Sequence, residues 1–462
     1  MKSISAALLL SVATLVAGST LTIPISVIDN ADQLTSASLT KRYLQRRAMA
    51  TAPLLSIHND ILYSAPITLG NPPQSFNLAI DTGSPFTWVT NGTCTGAGCQ
   101  TITNHFNCDQ SATCKVHPTP FNSSYVSGTG VSGKFVQDTY KFGSFQFTGI
   151  AGVANVDDVK LPPTADGILG LWYYPQLGAA TILNVLKNST ALTQPVMGIW
   201  MQAATTQGVT APGGEITIGG VNPQRYTGEI TYIDCIAGRP WTIPLGGMQI
   251  GNTLIHTTGI MAAIDTGTSA MLMPQSYADQ INSAIPGALK VSDLGGLWIL
   301  PCDGMTPITF TFGTFVAKVP YTSLARQNQR AQVVGKPGWY CLSSAMFPTG
   351  DVVSIKEWII GATFLRTVYA VYDFGNNEAS GGRIGFANLA TPGSPPGTNG
   401  TTSNGGQGGN GSNNNGTSGN GGSGDGTGSG SNTQNAASSI IPASIIAMQA
   451  SVLLVAVIVA MC

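Results

Sequence analysis

Between residues 57 and 390 short apolar runs rich in Val, Ile, Thr, Phe and Tyr alternate with breaks at Gly, Pro and Asn. Such runs predict strands, because branched and aromatic side chains pack on a pleated surface and the breakers supply turns. Helical periodicity is scarce; residues 179–187 and 276–285 are the best short helix candidates. The expected class is all-β. Two apolar runs stand outside this pattern. Ala6 to Val16 follows the positive Lys2 and precedes the small residues Ala17-Gly18-Ser19, so residues 1–18 read as a secretory signal. Ile440 to Met461 is apolar with interruptions such as Ser444 and Gln449, and no Lys or Arg occurs after Arg383.

Polar segments separate these ends from the strand-rich region. Residues 19–47 carry two dibasic pairs, Lys41-Arg42 and Arg46-Arg47, which in a secreted chain read as processing sites of a pro-segment. Residues 391–435 are nearly all Gly, Asn, Ser and Thr, with Pro at the start. That composition has too little apolar surface to offset its ordering entropy, so a flexible spacer is expected. Small residues, a short polar interval and a terminal apolar tail fit a signal for attachment to a glycosylphosphatidylinositol (GPI) anchor. Asn435 is the preferred attachment residue, with Asn432 and Ser431 as rivals, and residues 436–462 would then be removed. A membrane-spanning helix is the competing reading of that tail.

The 462 residues are 43% hydrophobic, enough for a large core. Only 9% are charged and the net charge is −1, so neither a basic patch nor an acidic tail points to nucleic acid. Loss of residues 1–47 leaves 15 basic and 19 acidic side chains, a net of −4 that suits acidic surroundings.

Eight cysteines occur, and secretion favours their oxidation. Cys94, Cys99, Cys108 and Cys114 should pair among themselves in one of three ways that spacing does not separate. Cys302 and Cys341 look like one bridge across a loop. If Cys462 leaves with the tail, Cys235 is the odd thiol, read as a buried apolar group. The histidines 58, 105, 117 and 256 lack ligand spacing, so no metal is expected. Sequons at Asn91, Asn122, Asn188, Asn399, Asn410 and Asn415 fit surface glycosylation.

The chemistry lies in a repeat. Ala79-Ile80-Asp81-Thr82-Gly83-Ser84 recurs 184 residues later as Ala263-Ile264-Asp265-Thr266-Gly267-Thr268. Each copy is followed at a similar distance by an apolar-apolar-Gly triplet: Ile168-Leu169-Gly170, then Ile359-Ile360-Gly361. Matching order in two halves implies a duplicated unit that contributes one carboxylate per copy. Two carboxylates forced close together cannot both ionise, so they share a proton and serve as base and acid at once.

These residues resemble the pepsin-like aspartic endopeptidases over roughly residues 57–390. The resemblance is carried by Tyr63 to Gly70 with Pro72-Pro73-Gln74, and by Asp81-Thr82-Gly83-Ser84 with Trp88. It continues through Asp166 to Gly170, Asp265-Thr266-Gly267-Thr268-Ser269, Gly361 to Arg366, Val371 to Phe374 and Arg383 to Ala387. With the dibasic segment, spacer and tail, the chain is similar to fungal GPI-anchored, yapsin-like surface proteases.

The resemblance implies a bilobal fold, with an N-terminal lobe over 48–235, a C-terminal lobe over 236–390 and the site in the cleft between them. It implies that Asp81 and Asp265 activate a water without any cofactor, acting on protein or peptide substrates as a monomer. Gly83 and Gly267 would donate amides to the carboxylates, Ser84 and Thr268 would bond the outer oxygens, and Thr82 and Thr266 would tie the loops together. Tyr125 would be the tyrosine of a flap over Tyr125 to Gly130, donating toward the first loop and Trp88. Two positions depart from the family pattern: Val126 stands where Gly is usual, and Ser127 stands where some fungal relatives carry an Asp that favours Lys at the cleavage site. Apolar or aromatic preference is therefore expected.

Among other classes, a catalytically silent surface or wall protein would show erosion at the dyad, and none is visible. No Gly-x-Ser-x-Gly or His-Glu-x-x-His supports a serine esterase or zinc protease. A two-carboxylate glycosidase would leave the duplicated Asp-Thr-Gly loops unexplained.

Overall fold

The computed structural model describes residues 49–391, apart from 175–179, 190–191, 205–207, 293–294, 349–356 and 376–380, together with residue 397 and the backbone of a short strand at 21–22. The remaining signal, pro-segment, spacer and tail positions lie outside the described residues, as do Asn399, Asn410, Asn415 and Asn435.

The fold is all-β and bilobal, as expected. Its first lobe holds the motif that places the first aspartate. Strand Gln74–Asp81 runs parallel to Gly167–Gly170, with Asp81 opposite Gly170. Gly167–Gly170 pairs antiparallel with Trp88–Thr95, which runs parallel to Phe145–Asp157. The second lobe repeats the order. Met261–Ile264 is parallel to Trp358–Ile360, which is antiparallel to Met271–Leu272, itself parallel to Ala345–Met346. The repeat read along the chain is thus a repeat of strand pairing, and each aspartate sits at or just beyond a strand end.

Glycine in each triplet has a steric reason. A Cβ on Gly170 would lie 2.5 Å from the Phe86 carbonyl carbon, and one on Gly361 would lie 2.0 Å from the Thr268 carbonyl oxygen. Each backing strand presses on the loop that carries the aspartate, and only glycine permits that approach.

The lobes are not separate sheets. The closing strands Val368–Asp373 and Arg383–Leu389 join the largest sheet, where Val368–Asp373 pairs with Val196–Met201. Between the lobes, Trp241 donates its indole N–H to the Leu171 carbonyl at 3.0 Å. Its ring lies 5.0 Å from those of Tyr173 and Tyr372.

Both helix candidates exist, with shifted bounds. Ile182–Asn188 begins at Thr181, whose hydroxyl accepts from the Asn184 N–H at 3.2 Å, and it buries Ile182, Leu183 and Leu186. Gln275–Ser283 follows Pro274 and buries Ala278, Ile281 and Asn282.

The cysteines pair as Cys94–Cys99, Cys108–Cys114 and Cys302–Cys341, which selects one of the three patterns left open by spacing. Cys235 is free and buried, and burial pushes its thiol well above the usual range. The sequon residues Asn122 and Asn188 are exposed, whereas Asn91 is half-buried and its amide donates to Asn155 at 3.0 Å.

Candidate active site

Two hairpin-like loops meet at the lobe junction and exchange hydrogen bonds. The Thr82 N–H donates to Thr266 Oγ1 at 3.1 Å, and the Thr266 N–H donates to Thr82 Oγ1 at 3.0 Å. Each hydroxyl then donates to the strand before the other aspartate: Thr82 Oγ1 to the Ile264 carbonyl and Thr266 Oγ1 to the Ile80 carbonyl, both at 3.0 Å. Four bonds among buried groups fix the loops to each other. A threonine in each loop is needed because a hydroxyl both accepts and donates.

That junction brings the carboxylates together. The Gly83 N–H donates to Asp81 Oδ1 at 2.9 Å and also lies 3.0 Å from Asp265 Oδ1, so one amide touches both inner oxygens. Gly267 N–H donates to Asp265 Oδ1 at 3.0 Å. The outer oxygens are held by hydroxyls: Ser84 Oγ donates to Asp81 Oδ2, and Thr268 Oγ1 donates to Asp265 Oδ2 at 2.6 Å. A Cβ on Gly83 would fall 3.0 Å from Asp265 Oδ1 and 3.2 Å from Asp81 Oδ1, which would prise the pair apart.

Both aspartates are buried. Burial, reinforced by the neighbouring Asp265 charge, holds Asp81 well above the usual carboxylate range, against the Ser84 and Gly83 bonds. Burial also raises Asp265, opposed by the Thr268 and Gly267 bonds. A pair in which each negative charge raises the cost of the other retains one proton into a range where isolated carboxyls are ionised.

The segment expected to form a flap is a hairpin of Lys115–Ser124 and Gly130–Phe142. Its turn closes with the Tyr125 N–H on the Thr129 carbonyl and the Gly128 N–H on the Tyr125 carbonyl, each at 2.9 Å, and Gly128 takes a φ of 78°. Tyr125 packs with Trp88, Phe86, Phe121 and Phe135. Trp88 Nε1 donates to Tyr125 Oη at 2.6 Å, the reverse of the direction expected from sequence, because an indole has no acceptor. The phenolic proton is thereby left for another acceptor. Burial, with the Asp81 charge nearby, pushes the Tyr125 phenol above its usual range, so it stays protonated. Val126 is half-buried and packs against an apolar cluster of the second lobe that includes Leu297, Tyr340 and Ile359. Ser127 is exposed, with its hydroxyl 2.7 Å from that of Thr129.

Comparison with known proteins agrees with this geometry. The family described as eukaryotic aspartyl protease matches residues 62–389. The chain belongs to the eukaryotic aspartyl protease family. It is 31% identical over 346 residues to a probable aspartic-type endopeptidase of Trichophyton verrucosum, covering 73% of this chain and 64% of that relative. It is 29% identical over 355 residues to an aspartic protease of Phaffia rhodozyma, covering 75% and 81% of the two chains. Mouse gastricsin is 32% identical over 343 residues, covering 71% and 81%. The chain therefore spans just under two thirds of the length of the Trichophyton relative and about four fifths of the other two.

Several supports of this aspartyl protease site had no readable signal. Thr87 Oγ1 accepts from the Gly170 N–H at 3.2 Å, and Thr363 Oγ1 donates to the Ser269 carbonyl at 3.0 Å. Tyr372 donates to the Ile264 carbonyl at 3.3 Å. Threonine and tyrosine are ordinary strand residues, so only three-dimensional proximity marks these. Among the described residues no cluster of His, Cys, Asp and Glu has the grouping of a metal site.

Proposed function

We propose that the chain is an aspartic endopeptidase that hydrolyses peptide bonds with a water activated between Asp81 and Asp265 under acidic conditions. The observation that carries this reading is the shared Gly83 N–H, which touches an inner oxygen of both buried carboxylates. The ionised member of the pair takes the proton of the water as its oxygen attacks the peptide carbonyl carbon. The protonated member donates to the carbonyl oxygen, and a proton passes to the departing nitrogen as the carbon–nitrogen bond breaks. Ser84 and Thr268 hold the outer oxygens and so orient the inner ones. Tyr125 and its aromatic surroundings close the cleft from above.

Since the reaction needs one proton on the pair, activity rises from acid as the first proton leaves and falls as the second does. Burial supports an acidic optimum that reaches higher in pH than two isolated carboxyls would allow. Ser127 in place of an acid, and Val126 against the second-lobe cluster, support apolar or aromatic side chains beside the scissile bond. The same reading takes residues 1–18 as signal, 19–47 as pro-segment, 48–235 and 236–390 as lobes, and the tail as a GPI signal. The enzyme would then act as a surface-anchored monomer at the membrane or wall. The competing reading is a silent surface protein on this fold, and the intact dyad speaks against it.

Digestion of a denatured protein at about pH 4, with and without pepstatin, tests the mechanism. The mature chain should cleave, and Asp81→Asn should lose nearly all kcat while keeping its fold. Cleavage that survives in Asp81→Asn refutes the dyad; no cleavage by the mature chain supports the silent reading. A peptide library varied at the cleavage position tests specificity, and dominant cutting after Lys or Arg overturns the apolar assignment.

A further inference from the structure

Behind the second catalytic loop lies a cavity of about 420 Å3 lined by Asp60, Ser269, Thr322, Arg326, Asn328 and Arg366 among others. The two arginines give it a positive interior. Arg326 is only 7% exposed, and its one side-chain hydrogen bond among the described residues is a long one, Nη1 to Ser269 Oγ at 3.4 Å. A guanidinium carries five N–H donors, so several remain to meet a ligand in the cavity. Arg366, also in the lining, lies beside the Tyr63 hydroxyl.

Asp60 is the acidic group of the lining, and it does not neutralise both. Its Oδ1 already accepts from Ser56 Oγ at 2.8 Å, from Tyr63 Oη at 2.9 Å and from the Ala204 N–H at 2.8 Å. The turn that holds it there is unusual: His58, Asn59 and Asp60 take φ of 48°, 55° and 69°, so three consecutive side-chain-bearing residues are left-handed. Burial, with Arg366 beside it, pulls the Arg326 guanidinium down to about 10, so it keeps its charge in acidic and neutral solution. Asp60 offsets only one of the two guanidiniums that face this space, so the lining keeps a net single positive charge that a bound anion would balance.

We propose that this cavity binds a small oxoanion of the sulfate or phosphate type between Arg326 and Arg366, with the Ser269 hydroxyl as a further contact. The planar fork of each guanidinium matches paired oxygens of such an ion. Ser269 directly follows Thr268, whose hydroxyl holds Asp265, so the bound ion braces the loop of the second aspartate from behind. This inference is independent of the catalytic reading, since the site does not include either aspartate.

Thermal melting of the mature chain at about pH 5 tests it, with sodium sulfate exchanged for sodium chloride at constant ionic strength. In the wild type, Tm should rise with sulfate and then saturate. Arg326→Met should lose the saturating rise and, in chloride, melt no lower than wild type, because it removes a buried charge repelled by Arg366. If that variant does not fold, calorimetric titration of sulfate into the wild type decides: one site per chain supports the proposal. A linear, unsaturating rise shared by both proteins is the general effect of an excluded salt and overturns it. So does the absence of binding heat up to about 10 mM sulfate, or a saturating rise that persists in Arg326→Met.

Discussion

Asp157 should make the protein lose stability as the solution approaches neutrality. The residue ends the strand Phe145–Asp157 at the root of the flap, where it pairs with Val131. The small loop closed by Cys94–Cys99 lies over it, with the Gly98 N–H on the Asp157 carbonyl at 2.9 Å. A Cβ on Gly98 would fall 2.5 Å from Asp157 Oδ2, so glycine lets the loop seal the carboxyl. Oδ1 accepts from the Val159 N–H at 2.7 Å, while Oδ2 is buried with no partner among the described residues.

Burial therefore raises this carboxyl from 3.8 to about 7, against the Val159 bond and with help from the Asp158 charge. A raised value in the folded state means that folding favours the protonated form. The stabilisation is complete below 3.8 and is lost as pH rises through about 7. The rise from 3.8 to about 7 corresponds to roughly 4 kcal/mol at about 1.4 kcal/mol for each tenfold change, of which about 3 kcal/mol is lost between pH 4 and 7. Asp157→Asn keeps the acceptor for Val159 and is neutral throughout. Denaturant unfolding across that range should show wild type losing about 3 kcal/mol more than the variant, with the two equally stable at the acid end. Parallel curves for the two proteins would refute the reasoning, because the buried carboxyl would then not be the titrating group.

Two further outcomes are expected. Thr82→Val leaves the Thr266 N–H without its partner and the Ile264 carbonyl with only the long Tyr372 bond, and denaturant unfolding should show a loss of about 1–3 kcal/mol together with reduced kcat. Replacing Cys302 and Cys341 by Ser opens a link with a sequence separation of 39. Chain entropy puts that loss near 4 kcal/mol, measurable as a lower denaturation midpoint under oxidising conditions.

The candidate active site was legible because its geometry is local. Asp81 and Asp265 sit at strand ends beside their own Gly and hydroxyl residues, so a six-residue string contains both the charge and its donors. The glycines of the two triplets were legible for the same reason: close backbone approach forbids any other residue, and that constraint is written in one letter. Long-range pairing was not. Val368–Asp373 reads as a buried strand, but nothing in its apolar pattern names Val196–Met201 as its neighbour. The crowded cysteines had three equivalent pairings until the chain path chose one. Arg326 and Asp157 look like ordinary charged surface residues, and only the fold encloses them.

The four bonds between the Asp-Thr-Gly loops have a consequence beyond catalysis. Exchange of 82 with 266, and of 80 with 264, turns each bond into another of the same set. That is the rule of an isologous contact, the kind two identical subunits make across a twofold axis. The centre of this molecule is thus built like the interface of a homodimer whose subunits happen to share one chain. Covalent fusion releases the periphery from that rule while the axis still obeys it. Among the described residues one half carries the Tyr125 hairpin and the Cys94–Cys99 loop and the other does not, so the cleft is lopsided around an even-handed core. A substrate can then have a direction in a site whose chemistry has none.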